Sequence, residues 1–379
     1  MLYLDHAATS PVRPEVWEAM RPYLTGVFGN PSSHHSVGEA AASALDHARA
    51  RVARHLGMRT GDVIFTAGGT EANNLGVKGI VLAALERGRR HVVLSPIEHE
   101  SLLESVDHLR RFHGVDATML PVDARGRISA DAVRAAIRDD TALVALGHAN
   151  NEIGTVQDIP AVAEAIRDTR VPLLVDAVQS AGWLSLAGLG ADAVSLAGHK
   201  LGTPKGIGAL GVRGRVPLEP LLHGGGQERG RRSGTEDVAG AVALATALDL
   251  AESERDALTA RLKEETGRFM RGVLAAVPQA AVTGDPVDRL PATASFTFRG
   301  VSGEAVLLEL ERRGVVSSSG SACAAGSDEP SHVLVACGIE PAVAQTAVRF
   351  TFGREALPAG APEQLVALVA ESVRAVADD

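Results

Sequence analysis

Thiols are nearly missing from this chain: among its 379 residues only Cys323 and Cys337 are cysteines. Two cysteines cannot build the disulfide framework of a small secreted domain, and neither sits in a C-x-x-C pair or a Cys/His spacing that would hold zinc. A reducing cytoplasm suits such a chain. Lysine is scarce too, with Lys78, Lys200, Lys205 and Lys263 the whole set, so chemistry that needs a lysine amine has four candidates. Positive charge is not in excess: the formal net charge is −9, which argues against direct binding of nucleic acid or an anionic membrane surface. Long apolar runs are lacking as well. The longest, around Ala239 to Ala251, is too short to cross a bilayer and reads as a buried helix. Met1 leads directly into Leu-Tyr-Leu-Asp-His without the basic segment of a secretory signal.

What is present is ordinary for a folded chain, 45% hydrophobic and 22% charged residues. The length suggests two domains, or one large α/β domain with an appendage. From about Asp62 to Val212, short β-rich runs (DVIFTA, HVVLSP, ATMLPV, TALVALGH, PLLVDAV, DAVSLA, GALGV) alternate with amphipathic segments such as Glu71 to Arg87 and Ser101 to Phe112. That alternation predicts a doubly wound α/β domain with a mostly parallel sheet. After HGGGQERGRRSGT the pattern changes to long helices, Val238 to Val273 and Pro362 to Val376, around the strands ATASFTF and AVRFTFG. This predicts a smaller α+β domain. The small-residue stretch Ser317 to Ser327 reads as a mobile loop.

In a parallel sheet, ligands bind beyond the carboxyl ends of the strands. After DVIFTA, Gly68, Gly69 and Thr70 open a helix, as a phosphate site requires, although a βα turn with a Thr cap would look the same. After PLLV comes Asp176, and after DAVSLA comes Lys200, so an acid and an amine end two successive strands. A pyridoxal phosphate enzyme needs both, a lysine for the Schiff base and an acid to keep the pyridine nitrogen protonated; a structural ion pair is the alternative. Lys78 lies within a helix, Lys205 in a Pro-Lys-Gly turn and Lys263 on a charged helix face, leaving Lys200 as the lysine at the ligand edge.

Other motifs are weaker. Gly206-x-Gly208-x-x-Gly211 precedes a strand instead of linking a strand to a helix, so it is not a dinucleotide fingerprint. His34-His35 and Glu98-His99-Glu100 lack a second cluster that would complete a metal site. Arg229, Arg231 and Arg232 read as an anion patch or, more commonly, a solvated face. Cys337 lies in the apolar run HVLVACGI and reads as buried, whereas Cys323, flanked by Ser, Gly and Ala, is the candidate for an accessible thiol.

Taken in order, YLDHAATSPVRPEV, FGNPSS, GGTEANN, IEHES, HANNEIGTVQDI, VDAVQS, AGHK, PKGIGAL, HGGGQERGRRSGTED, SSSGSACAAGSDEPSHVL and AVRFTFGR cover nearly the whole chain. In this series the chain resembles cysteine desulfurases of the NifS/IscS type, within the class V aminotransferase group of fold-type I pyridoxal phosphate enzymes. The resemblance implies a large cofactor-binding domain over 14–250 and a small domain made of 1–13 and 251–379. It implies conversion of L-cysteine to L-alanine, with sulfur passed to Cys323 as a persulfide and onward to an acceptor protein. Lys200 is then the Schiff-base lysine and His99 a ring-stacking acid/base. Gly69, Thr70 and His199 hold the phosphate, Asn151 and Gln179 the ring hydroxyl, and Asp176 the ring nitrogen. Arg349 clamps the substrate carboxylate, and Thr235 reaches the cofactor phosphate of a partner subunit, which makes the protein a homodimer. Ala197 stands where relatives commonly have Ser, removing one hydroxyl contact to phosphate. The Ser-Gly-Ser-Ala-Cys loop argues against a plain aminotransferase. A selenocysteine lyase is the nearest alternative, and a non-catalytic cofactor-binding protein a more distant one. The acceptor stays open between iron–sulfur assembly, tRNA thiolation, DNA phosphorothioation and cofactor assembly.

Overall fold

Seven strands form the central sheet of the computed structural model, which describes residues 1–319, 329–358 and 360–377. A short β1 (Leu2–Tyr3) lies elsewhere, parallel to β11 (Val315–Val316). The sheet strands are β2 (Val63–Thr66), β3 (His91–Leu94), β4 (Asp116–Met119), β5 (Thr141–Gly147), β6 (Leu173–Asp176), β7 (Ala193–Ala197) and β8 (Gly208–Val212), in the order β2-β8-β7-β6-β5-β3-β4. Each coincides with a β-rich run within a few residues. Only β8 runs against its neighbours β7 and β2.

Alternation along the strands sends side chains to two faces. Val144, Leu146, Val175 and Leu196 pack under the helix Ser36–Leu56 and the start of the helix Val238–Ala276. Leu143, Ala145, Leu174 and Leu210 pack under the helices that follow β2 and β3. Both faces are therefore covered, as a mostly parallel sheet requires.

The 39-residue helix Val238–Ala276 links the two cores. Its first half, through Ala251, is buried with the central sheet, while Leu258, Leu262, Phe269 and Val273 belong to a second core. That second core is built on β9 (Ala280–Val282), β10 (Thr293–Phe298) and β12 (Ala347–Thr351), ordered β12-β10-β9 and antiparallel. Five of the eight phenylalanines gather there, with Phe269 and Phe350 edge to face at 5.1 Å. Helices Gly303–Arg312 and Ala361–Ala377 cover this sheet. Among the described residues no helix is long and apolar enough to cross a membrane.

Candidate active site

Beyond the carboxyl ends of β3, β5, β6 and β7 lies a cavity of about 260 Å³ whose walls include Thr70, His99, Asn151, Asp176, Gln179 and Lys200. At one end, β2 turns into a helix through Gly68, whose φ of 153° favours glycine. Gly69 must also be glycine, because a Cβ there would meet Val178 Cγ2 at 2.7 Å and Ala197 Cβ at 3.1 Å. The helix Gly69–Asn74 continues through a π-helical turn, Leu75–Gly79, into Ile80–Leu85. Its first-turn N–H groups have no partners within the helix and face the cavity end marked by Gly69 and Thr70. His199 lines the same cavity, and its Nδ1 lies 3.1 Å from Thr9 Oγ1. Burial, with help from Lys200 and Lys205, pushes its pKa down to about 4, so it is neutral at physiological pH.

Lys200 follows β7 in a tight turn and donates to the carbonyls of Ala7 and Ala8. The N-terminal segment is thus part of the site, and Gln179 also donates to Ala7 O at 3.1 Å. Asp176 ends β6 and is 8% exposed. Its two oxygens accept from Asn73 Nδ2 (2.7 Å) and from the backbone N–H of Val178 (2.9 Å). Sheet register puts Gly147, Asp176 and Ser195 side by side on β5, β6 and β7. Ser195 Oγ in turn donates to Asn73 Oδ1 at 2.5 Å.

The His99 turn is fixed from several sides. Glu98 accepts from Ser95 Oγ and from the Gly147 N–H, both at 2.6 Å. Burial raises its pKa to about 8, so it is a neutral acid at pH 7. Asn150 donates to Ile97 O at 2.8 Å, and His332 Nε2 lies 3.1 Å from Glu98 O. The turn after β5 also receives the second core: Arg349 Nη1 donates to Asn151 O at 2.7 Å, and Ser331 Oγ donates to the buried Glu152 at 2.5 Å. Burial pushes the Glu152 pKa upward.

Of the residues expected from sequence, Gly69, Thr70, His99, Asn151, Asp176, Gln179, His199 and Lys200 share the one cavity. Arg349 stands behind Asn151. Thr235 is exposed and does not line the cavity. Cys323, with most of the expected mobile loop, lies outside the described residues; of the loop's beginning, Ser318 is paired with Arg349 through backbone hydrogen bonds. His35 caps the helix Ser36–Leu56 by accepting from the Gly38 N–H. The arginine run is less solvated than expected. Arg231 donates to Gly61 O at 2.7 Å, and Arg232 pairs with Glu71 at 2.8 Å, in the first turn of the helix that opens at Gly69. Sequence reasoning missed Asp5, Asn73, Ser101, Glu152 and Ser195, and weighed Glu98 only as part of a metal motif.

A larger groove of about 910 Å³ opens at the amino ends of β5, β6 and β7, with Arg87, Arg167, Arg170 and Arg215 on its walls. It contains no lysine and lies at the edge of the sheet opposite to that where parallel sheets hold ligands.

The residues fit pyridoxal phosphate: a glycine cradle and helix start for phosphate, a carboxylate held by donors at one strand end, and an amine at the next. Comparison with known proteins gives the same direction. The family described as Aminotransferase class-V matches residues 2–358. The IscS-like cysteine desulfurase of Mycobacterium tuberculosis is 44% identical over 383 residues, covering 99% of this chain and 97% of that relative. A solved NifS-like protein superposes with a TM-score of 0.91 at 31% identity, covering 98% of this chain and 99% of that one. A structure titled SspA in complex with cysteine has a TM-score of 0.82 at 36% identity, covering 94% and 100%.

Proposed function

The chain belongs to the class-V aminotransferase family and is a pyridoxal phosphate-dependent cysteine desulfurase, and from that premise we propose how its residues divide the work. The observation that carries the assignment is the convergence of Lys200, Asp176 and His99 with the Gly69–Thr70 helix start on one cavity. Bound there, pyridoxal phosphate supplies an electron sink for the α-carbon of an amino acid. Gly69, Thr70 and the neutral His199 hold the phosphate with N–H donors. Asp176, kept as an acceptor by Asn73 and Val178, holds the proton on the ring nitrogen. Asn151 and Gln179 bind the ring hydroxyl.

Arg349 takes the carboxylate of L-cysteine, since a guanidinium offers paired donors to a planar acid. Lys200 anchors the cofactor and moves the α-proton. Cys323 takes the sulfur from the substrate: its thiolate bonds to that sulfur as the carbon–sulfur bond breaks, leaving a persulfide on Cys323 and, after protonation, alanine. An acceptor protein then receives the sulfur. Thr235, being exposed, extends to the cofactor phosphate of a second copy in a homodimer.

Reduction of the loaded enzyme with borohydride, followed by peptide mapping, tests the assignment. Pyridoxyl label is expected on Lys200; label on Lys78, Lys205 or Lys263 overturns it.

A further inference from the structure

Asn73, which holds Asp176, is joined by Ser101 and Ser195, and all three are buried beside the cavity. The amide nitrogen of Asn73 spends both hydrogens, one on Asp176 Oδ2 at 2.7 Å and one on Ser101 Oγ at 2.8 Å. Its oxygen takes the Ser195 hydroxyl. An ionised carboxylate only accepts, so this amide cannot be turned round without facing oxygen to oxygen. The Ser101 hydroxyl, which accepts from Asn73, also lies 2.8 Å from His99 Nδ1 and has its hydrogen free to point there. The Ser101 backbone N–H reaches the same nitrogen at 3.0 Å. A backbone N–H has no other role than donor. Nδ1 is therefore an acceptor, and the neutral ring carries its proton on Nε2.

We infer that Asn73 is a positioning residue that couples Asp176 to His99 through Ser101 and fixes His99 as the Nε2–H tautomer. The inference rests on the role proposed above for Asp176 and on the ring-stacking acid/base role that the family resemblance implies for His99, and it narrows the latter. A ring in this state can give a hydrogen bond at Nε2 and cannot take a proton there. Removal of the α-proton then falls to the amine of Lys200. A purely structural role would ask only that the buried hydroxyls be satisfied. The arrangement does more, because one amide spans the acid assigned to the ring nitrogen and the imidazole assigned to the ring face.

The test uses holoenzyme containing ring-15N histidine, with the His99 signals identified by their loss in His99→Gln. An unprotonated Nδ1 and a protonated Nε2 are expected, both signals moving when pyridoxal phosphate is loaded. Signals that ignore the cofactor would sink the reading of the site and the inference with it. Signals that respond to the cofactor but show the proton on Nδ1 overturn the tautomer alone. Asn73→Ala removes the bridge and leaves His99 and Asp176 in place; it is expected to shift the His99 signals and the absorption maximum of the bound cofactor together. If that variant does not fold, Ser195→Ala, which removes only the donor to Asn73 Oδ1, is expected to shift them less and in the same direction. His99 signals unmoved in the folded variant overturn the coupling.

Discussion

Arg349 and Asp5, 344 residues apart in the chain, meet as an ion pair with Nη2 and Oδ1 at 2.7 Å. The guanidinium side chain is 2% exposed, and its other terminal nitrogen donates to Asn151 O. Three distant segments, the N-terminus, the turn after β5 and β12, are thus tied through one side chain next to the cofactor cavity. A planar fork can serve Asp5 and Asn151 and still present an edge to a substrate acid; an ammonium is a single point donor. Arg349→Lys should therefore raise KM for L-cysteine by roughly 10-fold or more, the loss of about one charge-assisted hydrogen bond. Pyridoxal phosphate content should stay normal. An unchanged KM would move the carboxylate clamp elsewhere.

Asp5 gives the complementary experiment. Asp5→Asn keeps the shape but removes the charge facing a buried cation. Breaking one side of a buried pair costs up to ~3–5 kcal/mol, and the cost should be lower here because the Asp5 side chain is 17% exposed. Denaturant unfolding should show a clear fall in midpoint with little change in slope. A wild-type midpoint would mean that the N-terminal segment is held by its other bonds, among them those to Lys200, Gln179 and His199.

The contrast between these residues says what a sequence can reveal. Strands were legible because β-branched runs of the right length lie between helical patterns, and GALGV is β8 residue for residue. The reversed direction of β8 was not read, although the physical reason was available. Only residues 198–207 connect β7 to β8, too few for the crossover that parallel strands need. Lys200 and Asp176 were legible since strand-end position and residue type together demand chemistry. Asn73 was not. Its neighbour Asn74 has the same side chain and donates only to Thr70 O of its own helix. What separates the two is the meeting of Ser195, Asp176 and Ser101 around Asn73, and these are spread over three other segments. Asp5 was likewise hidden, because its partner is a strand residue near the other end of the chain.

Buried ionisable groups at the site give the protein a stability profile with two slopes. Glu98 in the folded state titrates at about 8 because burial disfavours its charge, well above the ordinary 4.5. Between those values the folded chain holds a proton that the unfolded chain has released, so stability from this group falls as pH rises from 4.5 to 8. The slope approaches about 1.4 kcal/mol per pH unit for a single proton. His199 and His148, both pushed down to about 4 by burial, act on the acid side, where stability falls as pH drops from 6.5 to 4. Unfolding midpoints measured across this range should therefore decline less steeply from neutral to alkaline pH in Glu98→Gln, where Glu152 still contributes, and keep the acid decline. A variant with the wild-type alkaline slope would show that Glu98 is ionised in the folded state.

The two cysteines should behave as opposites. Cys337 caps the helix His332–Ala336 and packs among Ile97, Ile153, Val333 and Leu334. Burial, with Asp123 and Glu152 adding to it, pushes its thiol up to about 11. At pH 7 only about one molecule in ten thousand would carry the thiolate, and the thiolate is the nucleophile. Cys337→Ser is expected to retain desulfurase activity, with a modest loss of stability from a hydroxyl in an apolar cluster. Cys323→Ser is expected to keep its cofactor and bind L-cysteine, as read by the cofactor absorption, yet release no sulfide and form no persulfide. Alkylation should separate them as well: in the folded wild type, iodoacetamide should label Cys323 quickly and Cys337 only on unfolding. Wild-type sulfide release by Cys323→Ser would remove the protein thiol from the mechanism and leave a lyase that expels sulfur directly.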